Sequence, residues 1–263
     1  MAKEDLSREL ADLRDEIQQL RQAVAALSSA KPDRRATGRV RTFVEGFDAA
    51  LEGGIPAGHV VILAGPSGSM KTSLALSMIY HNRREGMKGL YISLEEGRES
   101  MLRTMDRLGM TPEDDFIVDI GKLRMEHEDV EGARDWLTIL KDYLARRLEK
   151  GGVGLVVIDP LNSLYQLAEL RNPRQDLFHF FTYLRTLGVT TILIAEAEGP
   201  SDFPNHEEFL ADGAITLSYA NEADGHVDLR IRCLKMRHAN HARDFFRLEF
   251  EDGRFRARPI GAP

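Results

Sequence analysis

The best candidates for chemistry are Lys71 and Thr72, which open a helical apolar pattern after a loop of small residues. The uniformly apolar residues 60–63 before this loop predict a buried strand. The loop consists of Gly65, Pro66, Ser67, Gly68 and Ser69. Small residues let backbone N–H groups turn inward around a triphosphate at a helix N-terminus, where Lys71 would reach the β- and γ-phosphates and Thr72 would ligate Mg²⁺. Residues 65–73, which end at Ser73, are therefore predicted to bind a nucleoside triphosphate with Mg²⁺.

The loop departs at one position from the usual phosphate-binding pattern G-x-x-x-x-G-K-[ST]. Met70 stands where the pattern has its second glycine. Methionine adopts positive φ at a higher free-energy cost than glycine does. Because the lysine and the hydroxyl are retained, we expect nucleotide binding to be preserved, whereas hydrolysis is either slowed or abolished.

Carboxylates follow two other predicted strands. Residues 154–159 form an all-apolar strand that ends in Asp159, which is typical of a buried parallel strand with a Walker B carboxylate. Asp159 would hold Mg²⁺ or its water opposite Thr72. Glu95 and Glu96 end the strand predicted at residues 88–94, where a water attacking the γ-phosphate would need a base.

Antiparallel strands are predicted from residue 213 onward, and one of them carries Lys235 and Arg237. Residues two apart on a strand point to the same face. Two cations on one face could stabilise the negative charge that develops during phosphoryl transfer. The alternative is a cationic stripe that faces solvent.

Two further motifs resemble the KaiC/RadA-like branch of the RecA superfamily of ATPases. The first is a Gly-Phe-Asp, Leu, Gly-Gly-Ile-Pro, Gly run at residues 46–58, which leads into the phosphate loop. The second is Glu-Phe-Leu-Ala-Asp at residues 208–212. The resemblance covers about residues 38–256 and implies an α/β fold over residues 42–263: a RecA-like core whose mostly parallel sheet has helices on both faces, followed by C-terminal antiparallel strands.

The resemblance also implies a mechanism and an assembly. Members bind ATP with Mg²⁺ at the interfaces of a ring, with six subunits the expected number, and a Glu-Glu pair supplies the catalytic glutamate, so Glu95 or Glu96 inherits that role. A Lys-x-Arg pair followed by a histidine reaches the ATP of the neighbouring subunit, which implicates Lys235, Arg237 and His241. Residues 238–240 depart from the family's usual turn, so the His241 contact is the least well matched. A slow ATPase that acts as a regulatory switch is the expected function.

The N-terminal residues predict a coiled coil, because apolar residues recur at alternating spacings of four and three over residues 6–27. The a positions are Leu10, Ile17 and Val24, and the d positions are Leu6, Leu13, Leu20 and Leu27. This pattern favours two parallel strands, so residues 1–30 are expected to pair subunits. The alternative is an amphipathic helix packed on its own domain. Residues 31–41 are interpreted as a basic linker.

Composition narrows the choice of function. The chain has 263 residues, a formal net charge of -7 and one cysteine, Cys233, which excludes an internal disulfide framework. No apolar stretch has the length of a membrane span and the N-terminus does not resemble a signal peptide, so a cytoplasmic location without membrane contact is expected. Residues 196–212 contain six carboxylates and no lysine or arginine. Such a segment would repel phosphates, which makes nucleic-acid binding unlikely.

Two alternatives to the switch stay open at this point. One is a DNA recombination or repair accessory ATPase, which the acidic residues 196–212 argue against. The other is a scaffold held together by ATP with little hydrolysis, which Met70 would favour. In each case a protein partner is expected, and the sequence does not identify it.

Overall fold

The computed structural model describes residues 38–121, 136–168, 170, 172–197, 203–221 and 225–260. The predicted coiled coil and most of the predicted linker lie outside the described residues. So do the polar residues 122–135. The described residues belong to one compact unit, residues 36–263.

The unit is built on a sheet of ten strands in the order β2-β12-β11-β10-β9-β4-β8-β7-β5-β6. Its strands are β2 (Val44–Glu45), β4 (Val60–Gly65), β5 (Lys88–Ser93), β6 (Ile117–Asp119), β7 (Val153–Asp159), β8 (Thr190–Glu196), β9 (Gly213–Asn221), β10 (Val227–Met236), β11 (Phe246–Glu251) and β12 (Arg254–Pro259). Strands β9, β4, β8, β7, β5 and β6 run parallel, and β9 to β12 pair antiparallel. The predicted change from parallel to antiparallel strands after residue 213 is confirmed.

Helices cover both faces of this sheet. They are α1 (Phe47–Ala50), α2 (Lys71–Arg84), α3 (Arg98–Arg107), α4 (Trp136–Glu149), α5 (Leu161–Leu167), α6 (Pro173–Thr186) and α7 (Glu207–Leu210). Side chains of β4 alternate between two buried clusters, as a strand with both faces covered requires. Val61 and Leu63 belong to the cluster that contains α2 residues, whereas Val60 and Ile62 belong to the cluster that contains α6 residues. The predicted α/β class is thereby confirmed.

The last residues of the predicted linker are part of the domain rather than a linker. Arg39 and Val40 form β1 (Arg39–Val40), which pairs antiparallel with β3 (Ile55–Pro56). The Arg39 guanidinium donates to the carbonyl oxygens of Leu51 and Gly54 at 2.8 and 2.9 Å. Arg39 therefore stabilises the start of the domain, and the expected linker ends before this residue.

The parallel strands bring their carboxyl ends to one edge of the sheet. Gly65 at the end of β4 pairs with Glu196 at the end of β8, and Ser93 at the end of β5 pairs with Asp159 at the end of β7. Ligands of open α/β sheets bind outside the carboxyl ends of the strands. The candidate site is therefore expected at this edge. Among the described helices, none has the length and apolar character needed to cross a membrane.

Candidate nucleotide-binding site

The loop between β4 and α2 is tightly packed. A Cβ added at Gly65 would lie 2.8 Å from Leu217 Cβ and 2.8 Å from Ser69 Oγ, so glycine is required there. Ser69 is fully buried, and its hydroxyl donates to the Pro66 carbonyl at 2.7 Å. These contacts fix the path of the loop before α2 begins.

Met70 adopts the left-handed conformation, with φ 65° and ψ 22°, and immediately precedes α2. Its half-buried side chain packs against the core cluster below the loop. The backbone at this position thus has the conformation that glycine normally supplies. A methionine has been accommodated without a change in the turn.

Lys71 is the first residue of α2 and directly follows the phosphate loop. Its Nζ donates to the carbonyl oxygens of Gly65 at 2.9 Å and Pro66 at 2.8 Å. Burial lowers the pKa of Lys71, while the carboxylates of Glu196 and Asp159 act in the opposite direction. The ammonium is therefore held beside the first turn of α2, where a phosphate-binding lysine is needed.

Thr72 and Asp159 meet across the edge of the sheet. The Thr72 hydroxyl donates to Asp159 Oδ2 at 2.7 Å, although the two residues are 87 positions apart. Burial raises the pKa of Asp159, and hydrogen bonds from the Tyr91 and Thr72 hydroxyls oppose that rise. A hydroxyl and a carboxylate are oxygen donors of the kind that Mg²⁺ takes together with water and phosphate oxygens. The donor set therefore fits the predicted ion.

The two adjacent glutamates have different surroundings. The Glu95 carboxylate accepts a short hydrogen bond from the Ser163 hydroxyl of α5. Glu96 is linked to the strand end through its carbonyl, which accepts from Ser93 Oγ at 2.6 Å. Both glutamates line one cavity of about 340 Å³ with Asp159 and the phosphate loop. Of the pair, Glu95 is the one whose carboxylate is fixed by a neighbouring side chain.

Glu196 lines the same cavity and was not among the predicted site residues. Its position at the end of β8, directly beside Gly65, brings it there. The described lining residues therefore include four carboxylates and one lysine: Glu95, Glu96, Asp159 and Glu196 against Lys71. Glu196 could be predicted as a cavity residue only if β8 were known to lie beside β4, and the strand order cannot be inferred from the sequence.

Part of the predicted acidic surface is buried. Glu207 is only 1% exposed and accepts a hydrogen bond from the Tyr165 hydroxyl at 2.6 Å. Asp212 accepts from Arg185 Nε at 3.0 Å and from the Val60 backbone N–H at 3.1 Å. Although burial acts to raise it, these hydrogen bonds hold the pKa of Asp212 below its usual value. The interpretation of residues 196–212 as a surface that repels phosphate is wrong for these two carboxylates.

Lys235 and Arg237 lie at the opposite edge of the sheet from the phosphate loop. Met236, between them, pairs with Gly213, which pairs with Val61 near the start of β4. Val61 precedes Gly65 by four residues, or about 13 Å along the strand. The structure therefore does not bring these two cations to the phosphate loop of the same chain.

Both cations have partners within the chain. Lys235 Nζ donates to the carbonyl oxygen of Ala211 at 2.7 Å and to that of Glu208 at 3.0 Å. Arg237, which follows the last residue of β10, donates to Asp212 Oδ1 at 3.0 Å. The two side chains thus contact the same segment, residues 208–212.

A comparison with protein families identifies the domain. The model of the KaiC ATPase family matches residues 40–255, which include the phosphate loop, the carboxylates and the Lys235 region. The chain belongs to the KaiC family of ATPases. The ATP-binding P-loop core inferred from Lys71, Thr72 and Asp159 is therefore that of a KaiC-type ATPase domain.

Curated relatives are circadian clock oscillator proteins KaiC. That of Rippkaea orientalis is 28% identical over 250 residues, which cover 89% of this chain and 47% of the relative. That of Synechococcus elongatus is 27% identical over 243 residues, 88% of this chain and 46% of the relative. The chain spans about half the length of these KaiC proteins.

A solved structure agrees with the fold. The KaiC-like protein of the archaeon Pyrococcus horikoshii matches with a TM-score of 0.69 and 29% identity. The match covers 84% of this chain and 99% of that one. A RecA-type core of KaiC-like form is therefore shown by both sequence and structure.

His241, the third residue expected at a KaiC subunit interface, lies beyond the end of β10. Neither ring nitrogen has a hydrogen-bond partner among the described residues, and both nitrogens are buried. The next residue, Ala242, is tied to the domain because its N–H donates to Ala50 O at 2.8 Å. His241 therefore lies on the side of the KaiC domain that carries Arg237, away from the phosphate loop.

Proposed function

We propose that this chain is a slow, Mg²⁺-dependent ATPase that assembles into a nucleotide-dependent ring, with six subunits the expected number, and acts as a regulatory switch. The observation that carries the proposal is the single cavity lined by the phosphate loop, Asp159 and two glutamates. It contains every group that hydrolysis requires on one side of the nucleotide. Among the described residues that line it, Lys71 is the one cation.

Each residue has a distinct part in the proposed reaction. The loop N–H groups and Lys71 bind and orient the phosphates, and Thr72 and Asp159 would hold Mg²⁺. The bound ion would supply positive charge that neutralises the phosphates. Glu95 accepts the proton of the attacking water, because the Ser163 hydroxyl keeps its carboxylate in one orientation at the cavity.

The ring is proposed because the described residues of the cavity provide few cations. Even with Mg²⁺ bound, the described lining residues offer one lysine against four carboxylates, so further cations would stabilise the negative charge that develops on a triphosphate. Lys235 and Arg237 form a cationic face at the far edge of the sheet, too distant to serve the same chain. In the proposed assembly a second copy presents that face to the cavity. The contact joins two different surfaces, and its repetition gives a ring when the rotation between subunits closes.

The proposed switch combines this ring with the N-terminal residues. A parallel coiled coil at residues 1–30 would link subunits in pairs, giving a trimer of dimers for a ring of six. Loss of the γ-phosphate would remove contacts across each interface and so change how a protein partner binds. An ATP-bound scaffold with little turnover is the second candidate, since Met70 replaces the usual glycine beside Lys71.

The test measures mass by light scattering with ATP, ADP or no nucleotide, and phosphate release in the same samples. The variants are Arg237→Ala and, as a control, Arg254→Ala, a 65% exposed arginine paired with Glu45 in the same way. Asp212 keeps Arg185 as a partner, so Arg237→Ala is expected to fold.

The wild type should form an ATP-dependent multimer near six subunits and release phosphate. Arg237→Ala should lower release at least 100-fold, in line with arginine fingers elsewhere, while Arg254→Ala should resemble the wild type. A monomer or dimer indifferent to nucleotide would refute the ring. An ATP-dependent multimer that releases no phosphate would support the scaffold instead.

A further inference from the structure

A buried tyrosine lies behind Asp159 in the candidate nucleotide site, and the proposed reaction does not use it. Tyr91 lies in the middle of β5 and is 0% exposed. Its ring belongs to the core cluster under α2, with Val157 and Ile79 among the members. Tyr91 is not among the described residues that line the cavity.

The Tyr91 hydroxyl reaches Asp159 from below. It donates to Asp159 Oδ2 at 2.5 Å, the same oxygen that accepts from the Thr72 hydroxyl at 2.7 Å. Two donors on one oxygen fix the rotation of the carboxyl group, and the other oxygen, Oδ1, accepts neither of them. A tyrosine hydroxyl carries its proton at neutral pH, so the phenol acts as a donor to this carboxylate.

We propose that Tyr91 is a positioning residue for the magnesium site, holding the Asp159 carboxylate in the orientation that receives Mg²⁺ or its water. Residues that orient metal ligands from behind commonly change metal affinity by about 10- to 100-fold when they are removed. The inference rests on the proposed function, because it concerns the Mg²⁺ that would accompany ATP. It assigns to a core tyrosine a role that its burial alone would not suggest.

The test is Tyr91→Phe, which retains the ring in the core and removes only the hydroxyl. The matched control is Tyr165→Phe, because the Tyr165 hydroxyl also donates to a buried carboxylate, that of Glu207, at 2.6 Å. Binding of a fluorescent ATP analogue is followed by anisotropy without Mg²⁺ and along a Mg²⁺ titration. Thermal unfolding of both variants measures the structural cost of losing a buried hydroxyl.

Tyr91→Phe should raise the Mg²⁺ concentration at half-effect by about 10-fold while leaving Mg²⁺-free binding of the analogue unchanged. Tyr165→Phe should lose stability to a similar extent without shifting the Mg²⁺ midpoint. A Tyr91→Phe midpoint within twofold of the wild type would overturn the inference alone. No binding of the analogue by the wild type would overturn the proposed function and the inference together.

Discussion

Replacement of Met70 tests whether its left-handed backbone carries a measurable cost. Full burial of a methionine is worth about 1.5–3 kcal/mol, so truncating this half-buried side chain should cost about 1 kcal/mol. A left-handed conformation costs a residue with a Cβ about 1–2 kcal/mol, and glycine avoids that cost. Glycine loses about 0.5–1 kcal/mol more than alanine through its extra freedom in the unfolded chain. Met70→Gly should therefore be about 0.5–1 kcal/mol more stable than Met70→Ala and close to the wild type.

The assay is urea unfolding of the nucleotide-free variants. The control pair is Arg103→Ala and Arg103→Gly, at an exposed position inside α3. Glycine is there expected to be the less stable of the two by about 1 kcal/mol, the usual order inside a helix. If alanine were more stable than glycine at position 70 by the same amount as at position 103, the backbone strain would be absent and the reasoning refuted.

The same variant addresses the effect of Met70 on turnover. The loop backbone already has the conformation that glycine would adopt, with φ 65° at Met70. Phosphate release by Met70→Gly should therefore stay within about threefold of the wild type, because the donors around the phosphates do not move. A rise of tenfold or more would show that the methionine itself restrains hydrolysis.

Three further predictions concern the carboxylates and the cysteine. Glu95→Gln should lower phosphate release at least 100-fold with ATP binding retained, and Glu96→Gln should lower phosphate release less. The reverse order would argue against Glu95, the glutamate bonded to Ser163, as the base. Burial raises the pKa of Cys233 to about 12, so a thiol reagent at pH 8 should label it only after unfolding, and rapid labelling of the folded protein would contradict its burial. Burial also raises the pKa of Asp159 above its usual value of 3.8. The free-energy penalty for ionising the buried Asp159 carboxyl is present above its folded-state pKa. The stability of the wild type relative to Asp159→Asn should therefore rise as the pH falls through that pKa toward 3.8. A difference in stability that does not change with pH would refute this prediction.

The sequence could predict those parts of the site that are formed by one continuous stretch of residues. The run from Val60 to Thr72 carries its own strand, loop and helix, so its form follows from residues close in sequence. Asp159 was predictable because an apolar strand that ends in an aspartate follows the phosphate loop in the same chain. Their meeting followed from the rule that parallel strands share a carboxyl edge.

What the sequence could not supply depends on which strands are neighbours. Glu196 joins the cavity only because β8 lies beside β4, and Tyr91 reaches Asp159 only because β5 lies beside β7. Helix α5, which carries Ser163, was not predicted, since its seven residues are too few to show a clear helical period. Glu207 was counted among the carboxylates that would repel phosphate, because acidic residues seldom lie in a core without a partner and its partner Tyr165 is 42 residues away.

The contacts of Asp212 give the proposed ring a route for communication between sites. Asp212 binds Arg237, and the neighbouring α7 region supplies the carbonyl oxygens that hold Lys235. Asp212 also accepts a hydrogen bond from the Val60 N–H at the start of β4, the strand that ends at Gly65 of the phosphate loop. Coupling between neighbouring sites needs an element whose arrangement both sites can bias, and in the proposed ring β4 with Asp212 is in a position to serve.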